Sequence, residues 1–508
     1  MSLDAALSIA SRSLANIDAR LNLVSNNVAN AATPDYSTET GAQQSVVAGT
    51  KGMGVRTEAA TRAVDLALQQ SVFSQGTTVS GLTTTATSLA AVDAVLGTPG
   101  QGNDIGSLLG KVADSFSALM LNPASGPGQA AVVAAAGTLT SGINTLSEAY
   151  TRQRQAAQNT IVTSVDTMNT QLSQIGTVSS RIVAARSAGE STADLENQRD
   201  AAVHALSSIL GIKTLVQSNG DMIVTTRSGT QLPTRATSGP VQTSNATLGA
   251  GAYYPSGGLP AISVNGTDIT TRVQGGHLGA AIALRDTTLP SFQAELDEFS
   301  FTLATRFDAQ GLTLFTDPTG AVPSGGGTPI QSTYVGFSAA IQVNPAVAAN
   351  AALVRDGTHD VVGSIAGASA FTANPSGGPA GFNTMIDRAL KFAFGRDARQ
   401  GVPQPTGATA LLGPSGTLSA PYAMPATLAD HAAVLVEAQS GVSAAASGQL
   451  TTEQAVQATL TKSLAVSSGV NMDTEMAHMI QLQNAYGASA RIISTVQALF
   501  SQLLQSMR

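Results

Sequence analysis

Leu3, Leu7, Ala10, Leu14, Ile17, Leu21, Val24 and Val28 recur at alternating steps of four and three. At the far end Met472, Met479, Tyr486, Ile493, Phe500 and Met507 fall at every seventh position. Such spacing lays a narrow apolar seam along a helix, as in a coiled coil. A seam this narrow cannot be buried by one isolated helix, so each terminus needs a partner, and the first candidate is the other terminus. The chain leaves through one helix and returns through the other, which predicts an antiparallel pair. At about 1.5 Å per residue the two helices reach roughly 40 and 55 Å. A chain that closes its two ends on each other reads as an assembly subunit rather than an enzyme.

Composition agrees. Charged residues are 11% of the 508-residue chain and aromatics 4%, with no Trp. An ordinary globular domain carries about 25% charge, so much of this surface is neutral and polar. Such faces pack against neighbouring copies at lower desolvation cost than charged ones. A net charge of −7 argues against nucleic acid, which would need a basic face. No run of about 18 apolar residues suits membrane insertion, and no basic region precedes an apolar block as in a cleaved secretory signal. Zero cysteines removes disulfides, thiol catalysis and Cys-ligated zinc.

Along the chain, a first helix runs from Ser2 to Ala29 and stops before Pro34. Lys51-Gly52-Met53-Gly54-Val55 reads as a turn. Helices begin again at about Ala63–Gln75 and continue to about Leu210, with Ile161, Val165, Met168, Leu172, Ile175 and Ile182 at helical spacing. Ile212–Val216 and Met222–Thr226 then flank Asn219-Gly220, a strong hairpin signal, and Asn265-Gly266 repeats the arrangement. Leu289, Phe292, Leu296, Phe299, Leu303 and Phe307 mark another helix. Gly311 to Leu428 is rich in Gly, Pro, Ser and Ala and reads as an irregular or mixed insert. Helices resume at Ala429, and Asn471 is placed to cap the last one, with Asp473 and Glu475 in its first turn.

The expected fold is mainly α with β or mixed inserts: antiparallel terminal coiled-coil helices, a helical-bundle middle domain and outer β-containing domains. Its expected divisions are an axial helix over 1–40 pairing with 470–508, and a helical middle domain over 41–211 with 277–310 and 429–469. A β-hairpin insert covers 212–276 and a variable outer domain 311–428.

The segment from Ser25 through Asn26, Asn27, Asn30, Thr33 and Pro34 to Tyr36 resembles the N-terminal signature of bacterial flagellar rod, hook and hook-associated proteins. Asp35 stands where that family usually has Gly. Gly469–Met476, Gln483–Tyr486 and Ala490–Ile493 resemble the family's C-terminal signature. Three further pieces resemble its hook-associated protein 1 branch: Gly52–Val55 with Thr61–Asp65, Asp194–Asp200 with the Asn219-Gly220 hairpin, and Ala304–Gly311. The resemblance implies a non-catalytic subunit forming a ring of copies between hook and filament, outside the cell. It also implies contact with the flagellar hook protein and with hook-associated protein 3, and type III export with a chaperone on the C-terminal helix. Other readings stay open: a hook or distal-rod subunit, or a secreted enzyme or adhesin carried by 311–428.

No residue pattern contradicts the non-catalytic reading. His204, His277, His359, His431 and His478 lack metal-ligand spacing. His359-Asp360 would need a serine brought by the fold, and Ser415 is not in a nucleophile elbow. Gly97–Gly106 has neither dinucleotide nor phosphate-loop spacing. Arg199 with Asp194, Glu196 and Asp200 reads as an ion-pair cluster on one helix face. No catalytic residue, metal site or cofactor is expected.

Overall fold

The computed structural model describes residues 3–48, 51–98, 101–235, 239–364 and 367–506. Its spine is a single helix of 63 residues. Helices α1 (Leu3–Ala29), α2 (Leu66–Leu96) and α3 (Ile105–Leu121) precede that spine, α4 (Gly126–Ala188), and α5 (Ala193–Ile209) follows it. Local chemistry sets these limits. Asp65, Asp104 and Ser125 accept hydrogen bonds from the first free N–H groups of α2, α3 and α4, and Gly189 ends α4 in the left-handed conformation. The apolar row expected on α4 is its buried face: Ile161, Val165, Met168, Leu172, Ile175 and Ile182 are all buried.

Between α1 and α2 lie four strands: β1 (Glu39–Thr40), β2 (Gln43–Ala48), β3 (Lys51–Thr57) and β4 (Thr61–Arg62). The turn expected at Lys51–Val55 is corrected here. That segment is strand β3, antiparallel to β2 with Val55 opposite Ser45, and it packs along α1. Gly54, at φ +101°, lies against Ile9 and Arg12 of α1. Gly54 serves close approach to a helix, not chain reversal.

The Asn-Gly hairpin forms at the expected residues, β5 (Ile212–Val216) against β6 (Met222–Thr226). The second one is shorter: β8 (Ser263–Val264) and β9 (Thr267–Asp268), with β7 (Val241–Gln242) completing a three-stranded sheet. Helix α6 (Gly276–Ala283) runs through a π-turn into α7 (Leu289–Ala309), which is buried on nearly every side.

The described residues of 311–428 hold four α-helices of four or five residues, a π-turn at Ala389–Ala393 and strands of two or three. Their buried side chains, among them Phe315, Tyr334, Phe337, Met385 and Ile386, belong to the same core as Phe116 of α3, Leu139 of α4 and Phe307 of α7. The chain then returns through a 41-residue helix (Leu428–Ser468) and a terminal helix of 35 residues (Met472–Ser506). The four short helices being α8 to α11, these two are α12 and α13.

Helix α2 is long and apolar enough, by length and composition alone, to cross a membrane. Here it packs against α12, α6, α5 and α4. The α2–α12 pair is antiparallel: Gln75 bonds the Glu453 carboxylate at 2.6 Å, and the Ser443 hydroxyl bonds Asp93.

Candidate assembly interface

Helices α1 and α13 pack side by side, with a small core of their own: Ile17, Val24 and Leu482, flanked by Leu21, Val28 and Met479. The Ser13 and Ser489 hydroxyls meet at 3.4 Å. Residue numbers fall along α1 as they rise along α13, so the pair is antiparallel.

The two stripes fare differently. On α1, Ala10, Ile17 and Val24 are buried, while Leu7, Leu14, Leu21 and Val28 are half-buried beside them. On α13 the row turned inward is Glu475, Leu482, Ser489 and Val496. It lies three residues beyond the expected row. Met472 and Tyr486 are exposed, and Met479, Ile493 and Phe500 are half-buried. Both rows repeat every seven residues and are neighbouring positions of one seam. Met507 and the side chain of Leu3 lie outside the described residues. On α13, Ile480, Ile492 and Leu503 stand 56%, 52% and 49% exposed, Ile480 on the side away from α1 and Leu503 continuing the inward row seven residues beyond Val496.

The family-signature residues build an elbow between this pair and the body. Asn30 caps the end of α1, its N–H and side-chain amide both donating to the Asn26 carbonyl at 3.0 Å, while the Thr33 hydroxyl bonds Asn30 at 3.2 Å. Asn26, Thr33 and Pro34 are exposed and Asn30 half-buried. Asp35 takes the left-handed conformation at φ +62°, as the Gly usual at this turn would, and its carboxylate pairs with His204 of α5 at 2.5 Å. Asn27, 1% exposed, donates to the Glu39 carbonyl at 2.9 Å and accepts from the Glu39 N–H and the Tyr36 hydroxyl, both at 3.0 Å.

The elbow is then fastened to α5. Asn197 accepts from the Ser37 N–H at 3.2 Å and donates to the Ser37 carbonyl at 3.2 Å. Arg62 reaches Asp200 at 2.7 Å and Glu196 at 3.2 Å. The cluster expected on one face of α5 is therefore corrected. Glu196 and Asp200 pair with Arg62 from another element, Asp194 accepts from Gln198, and Arg199 is buried with its guanidinium on the Gly220 carbonyl at 2.8 Å. Burial raises the pKa of Glu39, the nearby Asp194 adding to it. Burial alone would raise Glu196 too, but the Thr192 hydroxyl and the charges of Arg62 and Arg186 hold it below its usual value. The returning chain is held by the same elbow: Thr38 donates its N–H to the Ser468 carbonyl at 2.9 Å and its hydroxyl to the Gly469 carbonyl at 2.7 Å. Asn471 caps α13 by accepting from the Thr474 N–H at 3.1 Å.

Sequence reading missed Ser37, Thr38, Glu39, Arg62 and Asn197 as part of this device. The signals were the density of Asn and Thr around Pro34 and the family-like pieces Thr61–Asp65 and Asp194–Asp200, which hold Arg62 and Asn197 but do not say that they meet. The histidines do not converge: His359 faces the Thr313 and Thr358 hydroxyls, and Ser415 bonds Thr417.

Two family models match the chain. The flagellar hook-associated protein FlgK helical domain matches residues 89–321, and the flagellar basal body rod FlgEFG protein C-terminal domain matches 466–506. Together they take in more than half of it. The chain belongs to the flagellar hook-associated protein family. The helical-domain match runs from the end of α2 through α7, and the C-terminal match is α13 with the end of α12 that the elbow holds. Among solved structures, the flagellar hook junction protein FlgK from Burkholderia pseudomallei matches at 25% identity with a TM-score of 0.40. That match covers 50% of this chain and 46% of the other. Comparison with curated proteins finds no match. Membership gives the protein a structural role in the bacterial flagellum.

Proposed function

We propose that this protein is the non-catalytic subunit that joins hook to filament, assembling as a ring of copies through its paired terminal helices. The observation carrying this reading is the apolar surface of α13 that α1 leaves uncovered: Ile480, Ile492 and Leu503 remain exposed after α1 is in place. A surface helix normally carries charge on its outer face, whereas here Gln481, Gln483, Asn484, Gln497 and Gln502 alternate with apolar residues. Such a face is suited to burial against neighbouring copies. The flagellar hook protein below and hook-associated protein 3 above are the proposed neighbours. Type III export in an unfolded state, with an export chaperone on α13 covering the same apolar face, delivers the chain outside the cell. The test is electron microscopy of a strain lacking the gene. Hooks without filaments, with flagellin lost to the medium, are expected; normal filaments, or a rod arrested before the hook, would overturn the assignment.

A further inference from the structure

The β5–β6 hairpin leaves one edge unused. The Gln217 N–H donates to the Asp221 carbonyl at 2.8 Å and closes the turn. Counting from it, Leu215 with Ile223 and Lys213 with Thr225 are the hydrogen-bonded pairs, and Thr214 and Val216 turn their N–H and C=O groups away from β6. The far side of β6 is occupied: the Val224 carbonyl accepts from Leu232, and the Thr226 N–H donates to Thr230. The outer side of β5 is not. Among the described residues no backbone group bonds Thr214 or Val216 there.

Beside that edge a groove of about 310 Å³ separates β5 from α2. Phe73, Thr77, Val203 and Ile212 line it, and Lys213 and Arg227 stand exposed at its side. Neither cation is in an ion pair among the described residues. In a chain of net charge −7 this is a local reversal of sign. Lysine on an open edge discourages pairing with neutral or like-charged strands; it favours an acidic one.

We propose that this edge and groove dock an extended acidic segment of a neighbouring assembly protein by strand addition. Bonds to Thr214 and Val216 set the register. Alternate apolar side chains enter the groove over Phe73 and Ile212, and the acidic ones between them face Lys213 and Arg227. The site does not depend on which flagellar position the chain holds.

Fluorescence anisotropy of the full-length protein with a labelled peptide of alternating valine and aspartate tests this. Saturable binding is expected, weakened at least tenfold by replacing the aspartates with lysine or threonine. Thr214→Pro removes an outward N–H that makes no bond within the hairpin, a place where an edge strand tolerates proline; it should abolish binding with the melting temperature unchanged. Lys213→Glu with Arg227→Glu should also weaken binding at least tenfold. No binding of the aspartate peptide, equal binding of the threonine peptide, or full binding by a folded Thr214→Pro protein would each overturn the proposal.

Discussion

Replacing Asn27 with alanine removes the side chain that holds the elbow shut. Its amide acts as a strand partner for Glu39, taking up both the N–H and the C=O of that residue, and it also accepts from Tyr36. Each bond contributes about 1 kcal/mol net, and a buried group left unpaired costs about 1–3 kcal/mol. Half-buried Tyr36 can turn to water, whereas the Glu39 backbone has no other partner close by. The sum is on the order of 3 kcal/mol, which corresponds to about a hundredfold in the population of the open elbow. The loss should be local, because Asn27 touches nothing in the core around α4. Amide hydrogen exchange of the purified protein is the assay: exchange at Thr38 and Glu39 should rise about a hundredfold, with Val165 and Met168 of α4 unchanged as internal references. Unchanged exchange at Thr38 would refute the clasp. An equal loss of protection in α4 would refute its being local.

Burial against the apolar packing of α7 pushes the Glu295 carboxyl up to about 7. Its folded value lies above its unfolded one, so its contribution is fully present below about pH 4.5 and is lost as pH rises through about 7; thermal unfolding should show this decline, and Glu295→Gln should flatten it. Leu482→Asp places a carboxylate between α1 and α13 and should separate the pair, whereas Ile480→Asp, on the outer face, should leave the pair intact and block assembly. Oxidative cross-linking of Ser13→Cys to Ser489→Cys, whose hydroxyls meet across the pair, beside a motility assay of both variants, distinguishes them; motile cells carrying Ile480→Asp would count against the outer face. In the free monomer the Leu14 and Ile493 amides should exchange fast while Ser37, tied to Asn197, stays protected, since the core between the terminal helices is only six apolar residues; strong protection at Ile493 would show that the pair needs no neighbours.

What could be read ahead of the coordinates followed from period and turn chemistry. The α4 row, the Asn219-Gly220 hairpin and the Asn471 cap each depend on a few adjacent residues, and each formed at the expected place. The α13 stripe illustrates the limit. Its seven-residue repeat is shared by two adjacent rows, and only contact with α1 selects the one holding Leu482 and Ser489. Side-chain size does not separate them, because the inward row holds Leu482 and Val496 as well as Ser489, while large Met479 and Phe500 lie beside it. The role of Arg199 was hidden for a related reason: spacing on a helix names possible partners at three and four residues, while its actual partner is a hairpin carbonyl. Residues 311–428 were opaque because their elements are two to five residues long, too short for any period to show.

The insert and the ends differ in how they are held, and this bears on assembly. Phe315, Phe337 and Met385 complete a core that also contains Phe116 and Phe307, so 311–428 cannot loosen without opening the helical body. The terminal helices share a core of three buried and three half-buried residues and are tied to the body through the elbow and the α12–α13 junction. A rigid body joined to weakly paired ends lets neighbouring copies complete the packing of α1 and α13 without repacking the body. It also sets a condition on the elbow. If the ends are ordered by neighbours, the direction in which they leave the body must be fixed beforehand, or the ordering would cost the freedom of the whole pair. The bonds from Asn27 to Glu39, Asn197 to Ser37 and Thr38 to Ser468 and Gly469 supply that direction, which is the part the signature residue Asn27 would play in the proposed assembly.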